Sequence, residues 1–210
     1  MSWTNFKGFN FRSTLAFVTD GANETFINAG VSYPTTTVID GDSVTYGFED
    51  FISSGRTIDM NSGIDPRLAG VAGVVVGEPE VRFRIDLPAT GSYEIRTAWG
   101  DGANPRVQTG EIRDTNTAFI TISGTTATGE FRDATNVTRT SSADWVANNV
   151  TVTRTMASTI LRAVIQVPAS DASTLAHIAV RQVGGGTLAF DEGVWQPQEQ
   201  QTNPLTVSVW

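Results

Sequence analysis

The sequence predicts an all-β fold: an antiparallel β-sandwich, jelly-roll-like, with an extended C-terminal arm. Three observations lead there. Apolar and polar residues alternate in short runs, most clearly through Val81-Arg82-Phe83-Arg84-Ile85-Asp86-Leu87, which gives a strand one dry face and one wet face. Turn-forming pairs such as Asp20-Gly21 and Asp40-Gly41 punctuate these runs. No segment carries the helical apolar period that the crossovers of a mixed sheet would need.

The elements follow in order. Residues 1 to about 30 hold Phe6, Phe9, Phe11, Phe17 and Phe26 around Gly8 and Asp20-Gly21, and read as one or two strands and a turn. Thr35–Ile39, Asp40-Gly41-Asp42 and Val44–Phe48 read as strand, turn, strand. Residues 52–80 lose the alternation and carry Ser53-Ser54-Gly55, Asn61-Ser62-Gly63 and Asp65-Pro66; they read as a long connection with a short helical turn near 67–76. The strand at 81–87 stops at Pro88, Ala89-Thr90-Gly91 turns the chain, and 92–99 returns with Tyr93, Ile95, Thr97 and Trp99 on one face. Gly100-Asp101-Gly102-Ala103-Asn104-Pro105 is a loop, and further strands are expected near 106–113, 117–123, 128–133, 146–155, 160–167 and 175–183. Gly184-Gly185-Gly186 is a hinge. The domain division is therefore a sandwich over 1–183, with 1–12 a candidate arm, and a hinge with an extended tail over 184–210.

The 210-residue chain is 40% hydrophobic, enough for a core. Its net charge of −8 disfavours nucleic acid and anionic lipid as partners, since both need a basic surface. Lys7 is the sole lysine and His177 the sole histidine, and the absence of cysteine excludes disulfides and zinc–thiolate sites. No apolar run approaches the roughly 20 residues of a membrane span, and no secretory leader pattern is expected at the N-terminus.

Two resemblances sharpen the reading. Tyr46-Gly47-Phe48-Glu49, Arg67-Leu68-Ala69-Gly70 and Phe83-Arg84-Ile85-Asp86-Leu87-Pro88-Ala89-Thr90-Gly91-Ser92-Tyr93-Glu94-Ile95, followed by Gly100-Asp101, are similar to galactose-binding-like and malectin-like sandwiches over roughly 40–183. That resemblance implies glycan binding by loop aromatics and a structural calcium, although the family's ligand residues have no clear counterparts here. Phe9-Asn10-Phe11-Arg12-Ser13-Thr14, Val18-Thr19-Asp20-Gly21 and Tyr33-Pro34-Thr35-Thr36 resemble structural proteins of tailed bacteriophages. That implies a virion component, made in the host cytoplasm.

Catalytic constellations are poorly served. Gly41-Asp42-Ser43 looks like the start of a GDSL esterase, but Thr174, not Asp, stands three residues before His177, and a strand follows where that family has a helix. A turn is the better reading. A single His makes no metal site without partners, so His177 is expected at the surface or core edge. Asp40, Asp42, Glu49 and Asp50 cluster around a turn; Asp40 and Asp42 are candidate Ca²⁺ ligands, without the EF-hand spacing. A carboxylate-pair glycosidase could be judged only from distances in space.

The expectation is therefore a non-enzymatic virion protein, foremost a capsid decoration (cement) protein. Its partners would be the major capsid protein or other virion subunits and further copies of itself, a trimer being one symmetric option. Phe190, Trp195 and Trp210 in the tail, with Trp3 and Phe6 at the other end, are the candidate docking anchors. The alternative is a glycan-binding module or tail-associated adhesin, with Arg56, Trp99, Asp101 and Asn104 in its ligand loops, although its register with Tyr93 and Ile95 favours a core role for Trp99.

Overall fold

The computed structural model describes residues 2–3, 5–12, 23–50, 57–59, 70–100, 104–126, 131–132, 138–139 and 152–184. These form two sheets and no helix. Sheet B runs in the order β10 (Thr117–Thr125), β9 (Val107–Asp114), β14 (Ile160–Ile165), β7 (Val81–Asp86), β4 (Asp42–Phe48), β3 (Thr35–Ile39), antiparallel throughout. Sheet A centres on β15 (Ala172–Gln182). One side of β15 pairs with β8 (Gly91–Trp99). Its other side pairs first with β6 (Gly70–Val75) and then with β1 (Lys7–Phe11). Outside these lie β2 (Glu24–Ile27) beside β1, β5 (Thr57–Asp59) beside β6, and β13 (Val152–Met156) and β11 (Phe131–Arg132) beside β8. β12 (Thr138–Arg139) pairs with β11. Among these strands only β1 and β2 run parallel. The path passes from sheet B at β7 to sheet A at β8 and back to sheet B at β9, so the two layers of the sandwich share connections.

Period-2 burial produces the core between the sheets. On β7, Val81, Phe83 and Ile85 are buried while Arg82, Arg84 and Asp86 face out. Phe83 is the hub: its ring lies 4.9 Å from Phe11, 5.2 Å from Phe48 and 5.6 Å from Phe9, in edge-on contacts. Each such pair contributes about 0.5–1.5 kcal/mol beyond area burial. Trp99 is fully buried, donates through Nε1 to Thr97 at 2.9 Å, and packs over Gly110, where a Cβ would lie 2.3 Å from the indole. The core role expected for Trp99 is what the structure shows, and it removes this ring from a ligand loop.

Polar ties close both ends of the sandwich. At one end Lys7 Nζ reaches from β1 to Asp42 at 2.8 Å and Asp40 at 3.8 Å. Asn5 and Asn23 donate to the same Asp40 carboxylate at 2.7 and 2.8 Å. At the opposite end of β15, Ser173 donates to the Thr109 carbonyl at 2.8 Å, and the Thr174 amide donates to Gln108 at 2.9 Å.

Three sequence expectations change. Residues 70–75 form a strand instead of part of a connection with a helical turn. Gly70 runs under Arg12, with room for no Cβ (2.2 Å), so a small residue here lets the start of β6 approach the backbone at the end of β1. The candidate N-terminal arm is a sheet member over 7–11, and Trp3 and Phe6 are buried in this chain, Trp3 edge-on to Tyr93 at 6.5 Å. His177 is buried, not at the surface, because both faces of β15 are covered through residue 180.

Candidate functional site: an arginine ladder on sheet B

The outward face of sheet B gathers charge. Cross-strand register sets Arg113 of β9 opposite Arg162 of β14, and Arg162 opposite Arg84 of β7. Three like charges in one row across adjacent strands are unfavourable by themselves. Carboxylates interleave and reverse the balance. Glu49, just past β4, takes a forked pair from Arg162, Nε at 2.6 Å and Nη2 at 2.7 Å, and lies 3.7 Å from Arg84. Arg84 Nε donates to Asp86 at 2.7 Å. Arg82 Nε donates to Glu80 at 2.9 Å, and its Nη1 lies 3.5 Å from Asp50. Arg113 Nε donates to Glu111 at 2.6 Å. Tyr33 stacks on Arg84, with the guanidinium carbon 4.3 Å from the ring centre, and donates to Asp86 at 2.9 Å. The outward Val164 is fully buried among these long side chains.

The protonation states follow from these pairings. Burial alone would raise the Glu49 pKa, but the Arg162 fork and the charges of Arg162, Arg84 and Arg82 outweigh it and hold the carboxyl below its ordinary range. Arg162 is raised, first by its hydrogen bonds to Glu49. Arg82 is raised by its bond to Glu80 against partial desolvation. Tyr33 is raised by burial and by its bond to Asp86.

Between these groups lies an open cavity of about 420 Å³ lined by Glu49, Arg82, Arg113, Asn116 and Arg162. Three guanidiniums and one carboxylate line it, and Glu80, Asp50 and Glu111 pair with two of those guanidiniums. The volume lies within the range of small-ligand sites, but the lining is charged where most such sites are mainly apolar.

Asn104 is exposed; Arg56, Asp101 and the tail anchors Phe190, Trp195 and Trp210 lie outside the described residues. Asp40 and Asp42, the candidate calcium ligands, already face a cation, the Lys7 ammonium, which occupies the position between them and the core. Among the described residues no group of three or more acidic or histidine side chains converges as metal ligands do.

Alternation at 81–87 assigned Arg82, Arg84 and Asp86 to a wet face, but the ladder itself was missed. Its missing signal is long-range pairing: nothing local to Arg113 or Arg162 says that β14 lies between β9 and β7. No protein-family profile matches this chain, and no curated protein matches it.

Proposed function

We propose that this chain is a non-enzymatic structural protein of a tailed-bacteriophage virion, acting as a capsid decoration protein. The sandwich serves as the knob, and the tail beyond Gly184-Gly185-Gly186 carries the docking anchors. The observation that supports this most is how the chain uses its scarce reactive groups. Its sole lysine and sole histidine are both buried and bound to carboxylates: Lys7 to Asp42, and His177 to Glu24 at 3.2 Å. Both tie strands or sheets together, leaving neither as a base or nucleophile at an open site. The anchoring role falls to the tail, because Trp3 and Phe6 are spent in the core. Co-sedimentation with phage heads lacking this protein tests the reading. Full-length chain should bind, and a truncation after Gly186 should not. Failure of both to bind overturns the head-decoration role.

A second reading, a glycan-binding module or tail-associated adhesin, is favoured by one observation, the hydrophilic cavity on sheet B. It moves the ligand site from the loops near 52–76 and 100–105 to the face of the sheet.

A further inference from the structure

Sheet B's cavity has one feature that its ion pairs do not explain. Arg162 uses all three guanidinium nitrogens, two on Glu49 and Nη1 on the Thr115 carbonyl at 2.7 Å. Arg82 is likewise occupied by Glu80 and Asp50. Arg113 differs. Only its Nε is engaged, by Glu111, so both Nη groups remain as donors at the cavity wall. Asn116, exposed in the turn between β9 and β10, adds an amide with no partner among the described residues. Two groups with unspent donors thus stand beside a preorganised wall of paired charges.

We propose that this cavity binds a saccharide bearing a carboxylate. Arg113 would grip the carboxylate with its paired Nη donors, the geometry in which guanidinium groups bind planar anions. Asn116 would hold neighbouring hydroxyls as donor and acceptor. Glu49 sets the ligand's character. Its negative charge in the lining disfavours a compact dianion such as phosphate, while its oxygens can accept from sugar hydroxyls. The charged lining suits a hydroxyl-rich ligand better than an apolar one. The proposal rests on the glycan-binding reading and names its ligand class and contact residues.

The test uses the full-length protein against immobilised uronic-acid oligosaccharides and the same oligosaccharides with each carboxylate reduced to an alcohol. Binding of the acidic set should exceed that of the reduced set by at least tenfold, and should weaken as salt rises. Arg113→Gln should lower acidic binding about tenfold, the size expected for a charge-assisted pair, and Asn116→Ala should lower it by a smaller factor. Arg181→Gln, whose partner Glu94 lies on sheet A, is the control and should bind like wild type. All variants should keep the wild-type circular dichroism spectrum and melting transition within a few degrees. Equal binding of acidic and reduced sugars, or wild-type affinity in Arg113→Gln, overturns the carboxylate assignment and leaves glycan binding standing. Binding of no oligosaccharide in either set overturns both.

Discussion

The two outward faces of the sandwich obey the same alternation but meet different fates. On sheet B, Arg82, Arg84, Arg113 and Arg162 are open to solvent along at least part of each side chain and form ion pairs with Glu80, Asp86, Glu111 and Glu49. On sheet A, the equivalent positions hold Asn10, Arg12, Glu24, Arg96 and His177, and all are buried. Register brings this second set together: His177 lies opposite Asn10 on one side and Ala98 on the other, and Gly8 opposite Glu24. Gly8 has no side chain because a Cβ there would stand 2.6 Å from the Glu24 carboxyl. A polar residue on an alternating strand thus has two meanings. On sheet B it marks solvent and a surface available for recognition; on sheet A it marks a second, polar packing layer whose loss is structural.

That contrast predicts a ranking of effects. The largest belongs to sheet A: Glu24→Ala leaves the buried His177 without its carboxylate partner, and should cost about 3–5 kcal/mol in chemical denaturation. Gly8→Ala, which only pushes that carboxyl aside, should cost about 1–3 kcal/mol in the same experiment. A loss below 1 kcal/mol in both would erase the distinction between the faces.

Sheet B should respond less, and with pH. Glu49→Gln should cost about 1–2 kcal/mol at neutral pH, less than for a fully buried pair because each side chain keeps 16% exposure. The folded-state pKa of Glu49 is depressed, so its stabilisation is fully present above the carboxylate range and is lost as pH falls through the folded value. The wild-type advantage over Glu49→Gln should therefore hold at pH 6–7 and shrink as pH drops below about 4. Denaturant midpoints across that range check the sign. Smallest of all, Glu111→Gln removes the Arg113 partner from a part-exposed pair and should shift stability by no more than about 1 kcal/mol.

Much of the fold was legible because sheet B obeys the simple rule. Its strands at 35–39, 81–86 and 117–125 alternate cleanly, since one face packs on Phe83 and its neighbours while the other meets water. Sheet A was less legible. Strands β6 and β15 are covered on both faces, so Val71, Ala72 and Val74 read as a loop of small residues, and His177 read as surface. Local pattern records which residues a strand offers to each side but not whether a further layer covers the outer one. The site was half visible for the same reason: β7 displayed its arginines, whereas the ladder depends on which strands lie beside it.

The most direct measurement is arginine modification by a glyoxal reagent, read residue by residue by mass spectrometry on the native full-length protein. Arg82, with 41% of its side chain exposed, and Arg113, with unspent Nη groups, should react first. Arg12 and Arg96, at 0% and 2% exposure, should stay unmodified until the protein is denatured. Reaction of Arg12 and Arg96 at the rate of Arg82 in the native protein would contradict a buried polar layer on sheet A and an open, charged recognition face on sheet B.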